Sequence, residues 1–503
     1  MTAFLLHRIA LILPTLFFVS VLIFGLQQLL PGDPALALAG ENQDPAVIAF
    51  LHQKYHLDQP LPVRYALWIE GVLQGDLGES IRIKRPVFDL ICEKLPVTGE
   101  LALLALVVAL VIGVPAGIIA AVKHDTAVDY GATMAALWGL SIPNFWLGIL
   151  LILLFSVKLG LLPASGFVSP GDSLKQNLLT LAMPACVLGN AIAAVMMRHT
   201  RSAMLQVLGS DYVRTARAKG LGELRVILHH ALRNALVPVV TLGALEFGQL
   251  LSGAVLTEQV FTIPGFGKLI VDAVFNRDYA VVQGVVLCTA MAYIALNLLA
   301  SSRMCYQSAA AHMTAGTFET IAIREDRGER PWRRTMRRLA KRRTALIGLT
   351  VIVFFIALSI LAPICSPYDP LATNWAMVRK PPSMLHLFGT DEIGRDILAR
   401  IIWGSRASLM AGIVSVSLAV AIGVPIGLVT GYVAGIVDGI VMRLIDAMLA
   451  IPFLILAIAL AAFLGPSLTN AMIAIGVSQV PVFVRLTRGQ VLSVKHEEYI
   501  EAA

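Results

Sequence analysis

Side chains able to do chemistry are sparse in the apolar stretches of this chain, and none of them forms a recognisable catalytic group. Glu246 stands alone. Arg443 and Asp446 sit three apart on one helical face, where a local ion pair is the expected role. The cysteines Cys92, Cys186, Cys288, Cys305 and Cys365 are scattered without C-x-x-C spacing, so neither a metal site nor a disulfide framework is expected. There is no H-E-x-x-H, no G-x-S-x-G and no G-x-x-x-x-G-K-[ST]. The nearest phrase, "PGFGKL" at 264–269, lacks the spacing and the hydroxyl of a phosphate cradle. No catalytic residue, cofactor or metal ligand is therefore assigned, and energy for any work has to enter from outside the chain.

A repeated polar loop is the place where it can enter. "SDYVRTARAKGLGELRVILHHALRNALVP" reads as a helix, a break at Gly220 and Gly222, and a second helix ended by Pro238. On the first helix Tyr212 and Ala216 are four apart and share a face, the small Ala216 and Ala218 permit close approach, and Arg214, Arg217 and Lys219 surround them. Such a short amphipathic helix is either a membrane-surface helix or a docking knob, and its recurrence favours docking.

The elements that carry these loops are membrane spans. The 503 residues are 57% hydrophobic and 14% charged, with a mean hydropathy of +0.79, far above a soluble chain. The net charge of +7 does not indicate nucleic acid, because Lys and Arg lie between apolar runs, where they set orientation. Apolar segments at 9–30, 100–122, 134–158, 177–197, 236–256, 283–302, 345–365, 408–432, 441–464 and 469–486 give about ten spans by the twenty-residue criterion. The first is too long for a signal-peptide core and is read as a retained span, despite "ALALAG" after it. The basic loop 198–234 is cytoplasmic, the acidic loop 31–95 is on the outer face, and the N-terminus is cytoplasmic.

The chain is also a repeat. "RHTRSAMLQVLGSDYVRTA" aligns without a gap on "RLTRGQVLSVKHEEYIEAA" at a separation of 499 − 212 = 287, pairing Arg201 with Arg488 and Tyr212 with Tyr499. "IGVPAG" at 112–117 matches "IGVPIG" at 422–427, and "IP" at 142–143 matches 451–452. Both halves enter from the cytoplasm in the same order, so the repeat is parallel. The expected organisation is a first half at 1–303, a basic cytoplasmic linker at 304–344, and a second half at 345–503. "REDRGERPWRRTMRRLAKRRT" in the linker is favoured as a positive-inside anchor over a binder of anionic lipid or a partner.

The repeated loop resembles the EAA loop of ABC-importer permeases. The family pattern falls on Arg214, Thr215, Ala216 and Gly220 in the first copy and on Glu501, Ala502 and Ala503 in the second. The first copy departs at Arg214 for Glu and Thr215 for Ala, as one permease type of the dipeptide/oligopeptide/nickel group does. "LLPGDPA", "QGDLGES", "ALRNALVPVVT" and "VFTIPGFGKLIVDAVFNRDYAVVQG" resemble the B-type permease of that group. "FGTDEIGRDILARIIWGSRASL" and "LIDAMLAIPFLILAIALAAFLGPSL" resemble its C-type partner. The resemblance implies an all-α polytopic membrane protein. It would consist of two parallel-repeated bundles of the type I ABC importer kind, a fused B-type and C-type pair with six spans and then four of an expected six.

It also implies a translocation subunit for peptides, nickel or similar small solutes, in the bacterial or archaeal cytoplasmic membrane. Two ATP-binding subunits and an extracytoplasmic substrate-binding protein would be its partners, besides membrane lipid; ATP would be bound by those subunits. ATPase docking is expected at Asp211, Tyr212, Arg214, Thr215, Ala216 and Gly220, and at Glu498, Tyr499, Glu501, Ala502 and Ala503. An outer-face motif is expected at Gly389, Thr390, Asp391, Gly394, Arg395 and Asp396, with Thr390 or Asp391 capping a helix and contact to the binding protein as a further role. "IGVPxG" is expected to serve helix packing rather than substrate contact. The alternatives are a proton-coupled secondary transporter, disfavoured for want of intramembrane charges, and a membrane-embedded enzyme, disfavoured for want of clustered reactive groups. Keeping the repeat through Arg303 would place 303 − 216 = 87 more residues after Ala503, so the chain is expected to be a fragment or the product of an interrupted frame.

Overall fold

The computed structural model describes residues 2–28, 35–36, 44–54, 56–276, 278–292, 295, 343–451, 453–495, 497 and 500. The linker residues 304–342 and the expected docking residues Glu498, Tyr499, Glu501, Ala502 and Ala503 lie outside them. The described elements are helices, joined by loops that carry two isolated antiparallel bridges, Glu79 with Pro86 and Thr390 with Asp396. An apolar segment in hydrocarbon has to pair its backbone groups within itself, which makes each long run a helix.

The first half supplies α1 (Thr2–Gln28), α2 (Val87–Val122), α3 (Ala127–Ser141), α4 (Asn144–Leu151, continued as a π-helix to Lys158) and α5 (Leu174–Leu208). After them come α6 (Asp211–Ala218), α7 (Leu232–Gly253), α8 (Val255–Val260) and α9 (Phe266–Phe275). The second half supplies α10 (Arg343–Ile360), α11 (Ile397–Val433), α12 (Gly435–Ala450), α13 (Phe453–Leu464) and α14 (Leu468–Val494). Among the described residues, five helical segments are each long and apolar enough to cross a membrane: α2, α5, Glu223–Gly248, α11 and α14. The apolar stretches Ile12–Gly25, Tyr279–Ala292 and Ala345–Ile360 are shorter.

The expected third and ninth spans are not straight. Each is a pair of helices bent sharply against one another, α3 with α4 by 97° and α12 with α13 by 94°. The bends fall at the repeated Ile-Pro. Ile142 (φ −78°, ψ 121°) and Ile451 (φ −84°, ψ 127°) are both extended, as the residue before a proline is driven to be. A second difference concerns Pro238, which was expected to end a helix but lies inside α7. The helix runs on because its surroundings are apolar and a freed carbonyl is better kept near other helix groups than exposed to lipid.

The chain divides into two compact units, which do not follow the sequence halves. One contains Met1–Met313, Val429–Phe463 and Arg488–Ala503. Its most enclosed span is α5, with α2, α3 and α7 packed on it. Here α1 also lies along α12, and Val19 and Ile23 share a core with Ala447, Ala450, Ile451 and Ile455. On α12 Arg443 pairs with Asp446 at 3.2 Å, the local pair expected from their spacing, and lies 3.5 Å from Thr15 on α1. The other unit contains Thr314–Leu428 and Leu464–Thr487.

Small residues let the spans cross closely. A Cβ on Gly113 would lie 2.5 Å from the Ala193 carbonyl oxygen, and one on Gly189 would lie 2.8 Å from that of Ala105. In the second unit a Cβ on Gly423 would meet the Phe483 Cβ at 2.7 Å, and one on Gly476 the Ser415 carbonyl at 3.0 Å. Gly113 and Gly117 of "IGVPAG" and Gly423 of "IGVPIG" thus serve helix approach, in the small-residue manner of membrane interfaces. Outward-facing large apolar side chains, such as Val111 on α2 and Phe354 on α10, are left for lipid to cover.

Candidate coupling helix and outer-face turns

The helix expected to dock, α6, follows from a local pattern. Val213 and Ala216, three apart, are buried together with Val226, with Leu208 and Leu221 partly buried against them. Asp211 sits in the first turn, where a carboxylate meets the positive end of the helix. Gly220 closes the helix with φ +77°: its N–H donates to the Arg217 carbonyl at 2.9 Å and the Leu221 N–H to that of Ala216 at 3.4 Å. Only glycine reaches that backbone region without steric cost.

The outward face carries Asp211, Tyr212, Arg214, Thr215, Arg217 and Lys219. Ala216 does not join them. Its spacing groups it with Tyr212, yet it is 6% exposed against 43% for Tyr212. Its small side chain seats the helix on its own chain, because the stripe three and four apart from Val213 is the one that finds Val226. The Asn234 amide of α7 donates to the Tyr212 hydroxyl at 2.8 Å, and Arg217 grips Glu223 with bonds of 2.7 and 3.2 Å, tying α6 to α7 and to the turn after it. Beside that turn stand Leu224 and Leu228, 72% and 50% exposed. The sequence reading missed both; their spacing of four in "ELRVILHH" was the available signal.

Two further residues missed in sequence form the best-built polar contact of this region. Arg201, near the end of α5, donates from Nε and Nη2 to the two carboxylate oxygens of Asp129 on α3, both at 2.6 Å. The Asp129 side chain is 3% exposed. In the other half Arg488 on α14 donates to Asp438 on α12 at 2.6 and 2.7 Å. Arg201 and Arg488 are aligned by the repeat, and each aspartate precedes its Ile-Pro by the same interval. Nothing near Asp129 in sequence points to an arginine so far along the chain.

The motif "GTDEIGRD", expected on the outer face, is a self-closed turn. Gly389 and Gly394 both have positive φ, and a Cβ on Gly394 would collide with the backbone of Asn374. The Thr390 hydroxyl donates to the Met377 carbonyl and accepts from the Lys380 N–H at 2.9 Å. The Asp391 carboxylate accepts from the N–H of Ile393 and Arg395 at 3.0 and 2.9 Å, and from the guanidinium groups of Arg395 at 2.7 Å and Arg400 at 2.5 Å. Partial burial acts to raise its pKa, but the backbone and guanidinium donors outweigh it and hold the group well below the usual carboxylate range. The helix cap is neither Thr390 nor Asp391. Asp396, directly before α11, accepts the Ala399 N–H at 2.7 Å and also meets His386 Nδ1 at 2.8 Å. Thr390 and Asp391 are used up in the turn, which leaves the cap to the next carboxylate.

In the first half buried carboxylates fix the loops expected on the outer face. Asp278 accepts from the Ser80 hydroxyl at 2.5 Å and the Ile81 N–H at 3.2 Å. Glu258 on α8 accepts from the Thr98 hydroxyl at 2.6 Å and the Lys268 N–H at 2.8 Å. Burial pushes its carboxyl pKa up, against those donors. Among the described residues no three His, Cys, Asp or Glu side chains converge as metal ligands would.

Comparison with known proteins gives the arrangement a setting. The family model for the binding-protein-dependent transport system inner membrane component matches residues 113–307 and again 423–503. The N-terminal model of such a membrane component matches 1–102, and the N-terminal transmembrane domain of oligopeptide transport permease C matches 330–382. The chain is 42% identical over 299 residues to a putative peptide transport system permease protein of Brucella suis, covering 59% of this chain and 95% of that protein. It is 43% identical over 323 residues to the dipeptide transport system permease protein DppB of Escherichia coli K12, with the same coverage. It is 44% identical over 299 residues to the glutathione transport system permease protein GsiC of Escherichia coli O6:H1, again covering 59% and 95%. A solved chain of the MetNI methionine ABC transporter aligns at a TM-score of 0.34 and 16% identity, over 43% of this chain and 97% of that one.

Proposed function

The chain belongs to the family of binding-protein-dependent transport system inner membrane components, and from that premise we propose that it forms the membrane passage of a peptide importer whose ATPase subunits dock on its repeated loops. Members of this family are transport components rather than enzymes, and they work in the membrane with ATP-binding subunits and a substrate-binding protein. In the finer reading one ATPase subunit sits at each loop, the N-terminus faces the cytoplasm, and the chain holds no nucleotide of its own. The relatives named above are peptide, dipeptide and glutathione permeases, which supports peptides over nickel as the proposed solute.

The observation that carries this reading is the family match occurring twice in one chain. Two homologous bundles supply the two bodies that alternating access requires, and solute passes as they rock about a midplane path. On the cytoplasmic side α6 offers a rigid, charged knob with Tyr212 and Leu224 exposed, suited to a cleft on a partner. On the outer face the closed turn at 389–396 offers a fixed surface for a binding protein. The test is to reconstitute the chain with its ATPase subunits and add the loaded binding protein. ATP hydrolysis that rises on that addition supports the reading; a complex that assembles and hydrolyses ATP with no response to the binding protein counts against it.

A further inference from the structure

Arg201 and Asp129 join α5, which leads into α6, to α3, the near limb of a bent span. Arg201 lies two turns before the end of α5, and α6 follows after Gly209 and Ser210. Asp129 lies in the first turn of α3, the near limb of a bent span. A guanidinium and a carboxylate joined by two parallel bonds fix orientation as well as distance, which a single hydrogen bond or an apolar contact does not. Farther along, the Asn190 amide of α5 donates to the Gly139 carbonyl of α3 at 2.9 Å, a second tie between the same helices. Beyond the bend, Gly148 on α4 packs against the ring of Phe261, next to α8 and the outer loops.

A merely stabilising role does not account for this pair. A buried ion pair is often no better for stability than apolar residues of the same volume, because both charges lose hydration. Yet this chain builds the fork twice, in the same place relative to the bend and within two turns of the end of the long helix, as Asp438 with Arg488 repeats Asp129 with Arg201. What the two sites share is mechanical position.

We propose that Asp129–Arg201 and Asp438–Arg488 are paired positioning struts that carry displacement of the docking loops into the bent third and ninth spans. In this role the residues touch neither solute nor nucleotide. They act through the helices they join, so that a push on α6 turns α3 and the elbow at Ile142 with it. The inference rests on the reading of the chain as the permease of an ATP-driven importer.

The test uses the full chain reconstituted in liposomes with its ATPase subunits and binding protein, and reads labelled dialanine taken up per ATP hydrolysed. Asp129→Asn is expected to assemble and hydrolyse ATP while moving at least about fivefold less dipeptide per ATP, the lower end of ordinary coupling factors. The charge exchange Asp129→Arg with Arg201→Asp is expected to recover at least half of the ratio. Where Asp129→Asn does not assemble, Arg201→Lys, which keeps the charge but not the fork, is read in the same way. A ratio unchanged from wild type in an assembled variant overturns the strut, as does a fall in uptake and hydrolysis together in proportion to the complex recovered. Absence of ATP-dependent uptake in wild type instead overturns the importer reading, and the strut with it.

Discussion

Gly117 on α2 faces Thr200 on α5 so closely that a Cβ built on the glycine would lie 2.6 Å from the Thr200 Cβ, and 2.6 Å from the Met197 carbonyl oxygen. The obstacle includes backbone, which cannot rotate away. Gly117→Ala should therefore cost about 1–3 kcal/mol of stability through overpacking. Gly131→Ala on α3, where nothing lies within 4 Å, should be neutral or slightly stabilising through helix propensity. Thermal unfolding of the two variants in detergent measures the difference.

At the proposed coupling loop, surface separates from seat. Leu224→Ala removes an exposed group and should lower retention of the ATPase subunits on the purified chain, while protease resistance of the loop stays at the wild-type level. Val213→Asp puts a charge into the buried cluster with Val226 and should open the loop to cleavage between residues 210 and 230. Co-purification and limited proteolysis of the same samples distinguish the two classes.

The outer turn at 389–396 depends on backbone that only glycine adopts and on one carboxylate. Gly394→Ala meets both a positive φ and the Asn374 backbone, and should unseat the turn at a cost above the roughly 1–2 kcal/mol of the left-handed conformation alone. Asp391→Asn should loosen it too, by removing acceptors from Arg395 and Arg400. Because the folded pKa of Asp391 is lowered, its contribution is complete above about pH 4, the ordinary carboxylate value, and is lost only as pH falls on toward the folded value. Protection of residues 374–396 against hydrogen exchange, taken relative to the intrinsic rate at each pH, should thus stay high at pH 5 and fall in stronger acid.

Glu258 has the opposite sign. Its folded pKa is raised by burial, so its stabilising contribution is full below about pH 4.3, the ordinary Glu value, and declines as pH rises through the folded pKa. Glu258→Gln should flatten that decline, since an amide keeps an acceptor for the Lys268 N–H without a charge to bury. Melting curves from pH 4 to pH 9 of the two proteins read the effect directly.

Much of this molecule is legible in its sequence. Periodic apolar length locates the helices, and the ungapped match of Arg201 with Arg488 locates the repeat, because both are local patterns. The bends at Ile142 and Ile451 were written in the repeated Ile-Pro, but a hydropathy window averages over a proline and reports one span. Ala216 was misplaced because spacing of four defines a shared face without saying which face turns inward; Val226, ten residues on, decides that. Asp129 with Arg201, and Asp438 with Arg488, were out of reach for a different reason. They join residues whose nearness is set by the packing of α3 on α5 and of α12 near α14, not by any sequence interval. The cap at Asp396 was missed in favour of Thr390 and Asp391 because all three have capping side chains, and only the closed turn assigns the first two elsewhere.

The central claim is that solute movement through this chain is driven by ATP hydrolysed on separate subunits. The direct measurement is uptake of labelled dipeptide into liposomes holding the chain, its ATPase subunits and its binding protein, with ATP and with a proton ionophore as independent variables. The account predicts uptake that requires ATP and is indifferent to the ionophore. Uptake that persists without ATP and collapses with the proton gradient would contradict it.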